Sequence, residues 1–353
     1  VAPIAYPRVR GCAGADIALW DKHRDRGEGR LAIVVAVNGV LMLVSVTGGT
    51  GFVGSHSVAA FVAAGHRVRL LARDPGDVPE VLRPLGVDPA AVEVVAGDAT
   101  NAGRVAELVR GADAVLHAAA VYSFDRRRRQ EMRRTNVIAT ETVLRAARRA
   151  GVGRIVHVSS FVALGGSVLD ENSPVATSSE AYAASKAAAE TVARNYDAVI
   201  SYPPALLGPH DPRLGDQTAR LRATLRGLLP IWPTGGFPLG DVRDTAAMHA
   251  HLLTGGPPRC FGPGRFVSTR EYLRTLREVT GRRLPAVFLP AAALAPVGLV
   301  ADALQRVWPW PIPVQGGAIR TCRNAQRVAS AGATRPLAET MADTVRWLAE
   351  RTT

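Results

Sequence analysis

A chain of 353 residues with 47% hydrophobic side chains carries enough apolar material to bury one large core or two unequal ones, which excludes general disorder. Its formal charge of +13 comes from basic residues of which all but Lys22 and Lys186 are arginine; they are spread along the chain and not gathered beside an aromatic-rich motif, so nucleic acid is not an expected partner. Cys12, Cys260 and Cys322 lie far apart at no metal-binding spacing, so no metal site is expected and a reducing, cytoplasmic compartment fits.

Residues 1–41 show little periodic pattern. The apolar stretch from Leu31 to Val46 is broken by Asn38 and Gly39 and runs into a glycine-rich turn, so it falls short of a membrane span. Arg24, Arg26 and Arg30 precede it as they would in a secretory leader, but cleavage there would remove the strand that carries the turn. The expectation is a disordered extension or start-site artefact over 1–41, with folding beginning near Met42.

From Met42 onward, short β-branched runs at 43–46, 67–71, 92–95, 114–117, 154–158 and 198–201 alternate with helical stretches at 54–64, 102–110, 131–150 and 180–195. Such alternation predicts an α/β fold, a doubly wound parallel sheet over 42–205 covered on both faces. A run of arginines from Asp125 to Arg129, continued by Arg133 and Arg134, opens the third helix and reads as a solvated face or as a patch for an acidic partner. After Pro203 the texture turns to Pro/Gly-rich turns and short apolar segments, such as 228–233 and 308–311. Residues 206–353 are therefore expected to form a smaller C-terminal substrate-binding cap, rich in Leu, Pro and Trp and suited to a bulky apolar ligand. The chain closes on a helix over 336–351 with Leu337, Met341, Val345 and Leu348 in one stripe. The stretch from Leu289 to Trp310 allows membrane contact, but Pro290, Pro296, Asp302 and Arg306 argue against an integral span.

The turn Thr47-Gly48-Gly49-Thr50-Gly51-Phe52-Val53-Gly54 sits between a strand and a helix, where backbone N–H groups and a helix N-terminus face a pyrophosphate. Gly48, Thr50, Gly51, Phe52, Val53 and Gly54 are the expected dinucleotide contacts of a Rossmann half, with Gly48 and Gly51 for the tight turn and Gly54 for close packing. At the end of the second strand Ala72 is followed by Arg73 and not by an acid, which points to the 2′-phosphate of NADP, with Asp74 leaving NAD open. Asp98, followed by Ala99, stands after the third strand, where its carboxylate could accept from adenine or simply cap a helix.

Tyr182 and Lys186 are spaced i and i+4 and so project from one helical face; a cation there stabilises phenolate, as a tyrosine acid/base requires. Ser159 and Ser160 close the fifth strand at the sheet's carboxyl end, and Ser160 is the choice over Ser159 for holding a substrate oxygen. His249 and His251 flank Ala250 and point apart, a poor metal pair, while His117 and His157 read as packing residues at strand ends.

Taken in order, Thr47 to Gly54, Arg73-Asp74-Pro75, Gly97-Asp98, His117 to Ala120, Thr135-Asn136-Val137, Val158-Ser159-Ser160, Tyr182 to Lys186, Pro203 to Pro209 and Asp241 to Asp244 resemble an extended short-chain dehydrogenase/reductase. The resemblance, covering about residues 42–350, is to the NAD-dependent epimerase/dehydratase family in its dihydroflavonol-reductase-like and hydroxysteroid-dehydrogenase-like branch. It implies that Tyr182 protonates the substrate oxygen, that Lys186 holds the nicotinamide ribose and tunes Tyr182, and that Ser160 orients the carbonyl. It further implies that Ala118, Ala119 and Ala120 line the pyrophosphate and ribose track, that Pro203, Ala205 and Leu206 meet the nicotinamide, and that Asn136 supports the helix beneath. Tyr202 replaces the arginine that relatives often carry before the strand-end proline, and no cluster for a sugar-nucleotide pyrophosphate follows. The expected activity is an NAD(P)-dependent oxidoreductase interconverting a ketone and a secondary alcohol, a homodimer being allowed; epimerase/dehydratase chemistry with the same triad and a non-catalytic dinucleotide sensor are the alternatives.

Overall fold

The computed structural model describes residues 41–121, 129–178, 180–304, 316–329 and 332–351. The extension over 1–40, the arginines at 126–128 and the Trp-Pro segment at 308–311 lie outside the described residues.

The elements run β1 (Leu43–Thr47), α1 (Phe52–Ala63), β2 (Arg67–Ala72), α2 (Asp77–Leu82), β3 (Val92–Ala96), α3 (Ala102–Val109), β4 (Ala114–His117), α4 (Arg129–Arg133), α5 (Ala139–Arg149), β5 (Arg154–Val158), β6 (Val168–Leu169) and α6 (Ala181–Arg194). They continue with β7 (Val199–Tyr202), β8 (Ala205–Leu207), α7 (Asp216–Leu225), β9 (Ile231–Pro233), β10 (Gly236–Asp241), α8 (Val242–Thr254), β11 (Arg259–Phe261), β12 (Arg265–Ser268), α9 (Thr269–Thr280), β13 (Val287–Leu289), α10 (Ala291–Leu304), α11 (Gly316–Asn324), β14 (Arg327–Val328) and α12 (Leu337–Glu350).

Seven parallel strands form the central sheet in the order β11-β7-β5-β4-β1-β2-β3. The strand order reverses between β1 and β4, and it is at the carboxyl ends flanking such a reversal that doubly wound sheets bind ligands. The inner strands read as nearly unbroken apolar runs because both faces are covered: β4 is buried throughout, β1 and β5 at all but their first residue. On one face α1 and α8 pack around Val44, Val46, Phe61 and Leu252; on the other α3, α5 and α6 pack around Val115, Leu144, Ile155 and Ile200. His249 of α8 bonds Ser57 of α1 at 2.8 Å through Nδ1 and Ser201 of β7 at 2.9 Å through Nε2, fastening the first layer to the sheet.

Six strands were expected and the sheet has seven. The last, β11, together with α8 beneath it, comes from beyond residue 205, so chain assigned from sequence to the cap returns to complete the nucleotide-type sheet. The remainder of the later chain builds a three-stranded sheet, β12-β10-β8, and a separate core of Leu207, Leu221, Trp232, Leu239, Tyr272, Leu276 and Met341. Two polar knots tie α12 to the first turn of α8. Asp241, wholly buried, accepts from Arg243 and from Thr340, and Arg243 reaches Asp343 at 2.7 Å. Asp244 accepts from Thr334 and from the backbone N–H of Arg335.

Burial would push the Asp241 carboxyl up, but the Arg243 bonds and charge outweigh it and hold Asp241 below the usual carboxylate range. Removing one partner of such a buried pair strands the other charge, at a cost of about 3–5 kcal/mol. Arg243→Ala should therefore lower the urea unfolding free energy by that order, whereas Arg346→Ala, which loses only an exposed bond to Asp343, should change it by less than about 1 kcal/mol. Equal losses for the two variants would deny the buried pair its role as the clasp between cap and sheet.

Candidate active site

The glycine turn is built for close backbone approach. Gly48 takes φ +76°, and a Cβ there would stand 2.5 Å from the Ala119 nitrogen and 2.6 Å from the Ala118 carbonyl carbon. A Cβ on Gly54 would meet the Gly48 oxygen at 2.1 Å, so helix α1 can sit on the turn only if position 54 is glycine. Gly51 N–H closes the turn on the Gly48 carbonyl at 3.0 Å. No side chain caps the N-terminus of α1 and no acid lies in its first turn, which leaves its N–H groups and positive dipole end for an anion. A cradle of this shape fits a dinucleotide pyrophosphate.

Ala118 and Ala119, half-buried, flank the turn on the β4 side, with Ala120 exposed beyond them. Phe52 reaches across toward Gly208, just past β8, while Thr50 and Val53 are partly buried in the turn and first helical residues. A buried chain of bonds stiffens this corner. Thr140 donates to the Asn136 carbonyl at 2.7 Å, so His117 Nε2, 3.0 Å from the same hydroxyl, must be its donor; His117 Nδ1 then accepts from Thr47 at 2.8 Å. Burial lowers the His117 pKa to about 3, which keeps the ring neutral as that chain requires. His117 thus does more than pack: it links β1, β4 and the helix that follows.

At the end of β2, Arg73 is exposed, and Asp74 turns Oδ1 onto the Gly76 N–H at 2.9 Å. Asp98 accepts from both the N–H and the hydroxyl of Thr100, at 2.8 and 2.6 Å. Burial acts to raise its pKa, but those bonds, with the charges of Arg73 and Arg134, hold it below the usual range. Arg134, read from sequence only as part of a charged helical face, therefore shares the Asp98 and Arg73 corner. Ala99 beside it is buried.

Helix α6 starts where it does because Glu180 caps it, accepting from the N–H groups of Tyr182 and Ala183. That start puts Tyr182 in the first turn and Lys186 one turn on, both buried against the carboxyl end of β5. Lys186 Nζ donates to the Val158 carbonyl at 2.9 Å. Burial lowers its pKa to about 8, against the pull of Glu190. Burial also pushes the Tyr182 phenol up, Glu180 and Asp216 add to that, and a hydrogen bond from Ser160 opposes it. Of the two adjacent serines, Ser160 therefore meets Tyr182, while the Ser159 hydroxyl turns away to Glu190 at 2.9 Å.

Glu190 escaped the sequence reading. Its side chain is wholly buried, and it gathers Ser159, the Tyr202 hydroxyl at 2.8 Å and Arg194. Its signal was its place one turn beyond Lys186 on the same helix. Tyr202, standing where relatives often have arginine, is thereby explained as the β7 member of this knot. Asn136 sits in a π-turn, Arg134–Ile138, and brackets Val121 by bonding both its N–H and its carbonyl; it also donates to Ser185 in α6. Pro203, Ala205 and Leu206 follow β7 at the same carboxyl edge of the sheet, Pro203 and Leu206 buried and Ala205 half-buried.

A cleft of ≈ 370 Å³ opens between the loops flanking β6, the start of α6 and helix α11; Glu180 and Ala183 line it, whereas Ser160, Tyr182 and Lys186 do not. Its lining is mixed: Val162, Leu164 and Ala183 meet Ser178, Arg320 and Asn324.

The profile of the NAD dependent epimerase/dehydratase family matches residues 44–260. Sterol demethylase protein B of Methylococcus capsulatus is 29% identical over 88% of this chain and 99% of its own length. A putative dihydroflavonol 4-reductase of Synechocystis is 32% identical over 69% of this chain and 74% of its own. Among solved structures, gox2253 superposes with a TM-score of 0.70 at 27% identity, covering 88% of this chain and 98% of the other. The dTDP-glucose 4,6-dehydratase DesIV of Streptomyces venezuelae, solved with NAD bound, gives 0.66 at 27% identity over 88% and 97%.

Lys186 offers a check on this geometry that needs no substrate. Between pH 8 and its ordinary value of 10.5 the unfolded chain keeps a proton there that the folded protein has released. Stability contributed by this residue therefore rises with pH in that window, at up to about 1.4 kcal/mol per pH unit. Urea titrations from pH 8 to 10 should show that upward component in the native chain and its loss in Lys186→Met; parallel profiles would mean that Lys186 is solvated. On its fold, its glycine turn and the family match, the chain is an enzyme of the NAD dependent epimerase/dehydratase family.

Proposed function

We propose that this enzyme is an NADP(H)-dependent oxidoreductase that interconverts a ketone and a secondary alcohol on a bulky, mainly apolar substrate bearing a polar group. The observation that supports the reading is the grouping of Ser160, Tyr182 and Lys186 at the carboxyl end of β5, with the mixed cleft opening along the same start of α6 at Glu180 and Ala183. The dinucleotide, when bound, supplies or accepts the hydride. Tyr182 holds the proton that a carbonyl oxygen takes up on reduction and recovers it on oxidation. Ser160, which donates to the phenol here, would turn its one hydroxyl proton to the same carbonyl oxygen when substrate is present and so orient the carbonyl. Lys186, charged below about pH 8, stabilises the phenolate and presents its remaining donors to the ribose hydroxyls.

The choice of NADP rests on Arg73, exposed at the β2 end, with Asp74 occupied by its own turn and Arg134 close by. The amphipathic substrate agrees with the Val162 and Leu164 side of the cleft and its Arg320 and Asn324 side. It agrees too with relatives named for sterol demethylation and for reduction of a farnesyl quinoline oxide, the latter 30% identical over 74% of this chain. Cys260 and Cys322, both buried free thiols, suit the cytoplasm.

Fluorescence titration should give tighter binding of NADPH than of NADH, and Arg73→Ala should erase about 10- to 100-fold of the NADPH affinity while leaving NADH unchanged. Across a panel of hydrophobic ketones with NADPH, Tyr182→Phe should lose about 100- to 10,000-fold in kcat and keep dinucleotide affinity. Equal binding of the two dinucleotides, or an NAD that co-purifies and does not exchange, would instead favour epimerase/dehydratase chemistry, in which the cofactor is reduced and reoxidised in place. Activity unchanged in Tyr182→Phe would leave a dinucleotide sensor.

A further inference from the structure

Helix α10 reads AAALAPVGLVADAL and carries a single charged residue, Asp302. One side is committed: Ala291, Leu294, Gly298 and Ala301 are buried, and a Cβ on Gly298 would stand 2.9 Å from the Gly316 Cα of α11. The other side is apolar as well. Val297, Leu299, Val300 and Leu304 stand 50–60% exposed, an arrangement that a helix bathed in water does not favour. The β9/β13 pair that leads into this helix repeats the pattern: Ile231 and Val287 are cross-strand neighbours and both more than half exposed. In the chain segments that lead into the two strands, Arg226, Arg282 and Arg283 are exposed, and among the described residues none is held in an ion pair.

We propose that this face docks on an anionic phospholipid bilayer, with α10 lying in the interfacial plane. Its 14 residues span about 21 Å at 1.5 Å per residue, too short for a hydrocarbon core of about 30 Å, so the helix lies in the surface and does not cross it. Among the described residues no helix is long and apolar enough to cross. Exposed aliphatic side chains and exposed arginines on the segments leading into β9 and β13 match the two parts of an anionic interface, acyl chain and phosphate. A second copy of the chain is a poorer occupant, since a two-fold contact through this face would set the arginines of both copies against one another. The placement has a consequence for the cleft: α11, on which α10 rests, supplies Arg320 and Asn324 to its wall, so a bilayer-dissolved molecule would enter over α10. The docking does not depend on which reaction the triad performs.

The full chain should float with vesicles of phosphatidylcholine and phosphatidylglycerol and far less with phosphatidylcholine alone, the binding weakening as salt rises. The double variant Leu299→Glu, Val300→Glu changes only exposed side chains; it should keep the native melting temperature and NADPH affinity and lose vesicle affinity by about tenfold or more. Arg282→Glu with Arg283→Glu should abolish the preference for the anionic lipid. Flotation unchanged in the Leu299/Val300 variant would overturn the proposal. So would a native chain that ignores both vesicles, which would mean that the chain covers this face itself. A native dimer that the same variant dissociates, without vesicle binding, would assign the face to a second copy.

Discussion

The structure is organised around one buried ammonium. Lys186 lies almost wholly inside the protein, at a carboxyl strand end where an unpaired charge would be costly. Two groups make the position tenable, the Val158 carbonyl that accepts its hydrogen bond and the Glu190 carboxylate one turn further along α6. Glu190 is in turn held by a hydroxyl from β5's end, a phenol from β7 and an arginine of its own helix. Helix α6 therefore cannot slide or rotate against the sheet without breaking several buried bonds together. That rigidity fixes Tyr182 as well, since it sits one turn before Lys186 on the same side, and it decides which of two adjacent serines faces the phenol.

The cofactor side is fixed by contact where the ammonium side is fixed by charge. Gly48 lies so near Ala118 and Ala119 that the turn and the β4 strand end form one surface, and the Thr47, His117, Thr140 and Asn136 chain braces it from behind. Asn136 belongs to both halves: it accepts from and donates to Val121 after β4, and it donates to Ser185 in α6. The π-turn over Arg134–Ile138 has a physical purpose here, because it places a side chain between two elements that a regular helix would not bridge. The glycine turn and the start of α6 are thus joined through one chain of hydrogen bonds.

The long elements were legible in the sequence because burial on both faces forces unbroken apolar strands, and amphipathic spacing marks the helices between them. Strand β4 and strand β5 match their expected bounds to the residue. The seventh strand, Arg259–Phe261, was not legible: three residues carry no period, and its place depends on pairing with β7 some sixty residues earlier, which only the tertiary fold supplies. The glycine turn and the Tyr182 and Lys186 spacing could be read because the chemistry constrains residues close together in the chain. The sequence-based choice of Ser160 over Ser159 agrees with the contact to Tyr182, but no periodicity secures it, since neighbouring residues in extended backbone face opposite ways and a shift of one reverses the answer. Glu190 was missed, and Tyr202 was noted only as a departure from relatives, for a related reason: each looks ordinary alone, and their meaning lies in a contact between a helix and a strand.

Residue 186 also explains why one lysine persists in a sequence that otherwise uses arginine for all but one of its basic side chains. A guanidinium is broad and planar, stays charged throughout the accessible pH range and needs several acceptors in its plane. The site beneath Tyr182 offers one carbonyl at 2.9 Å, a carboxylate further off and room for a compact head group. An ammonium fits that space, keeps two further donors, and has a pKa that burial brings down to about 8. Whatever pressure drew the remainder of the chain toward arginine, it could act on solvated faces, where either cation serves, and not at a buried position with one carbonyl acceptor and room for a compact head group.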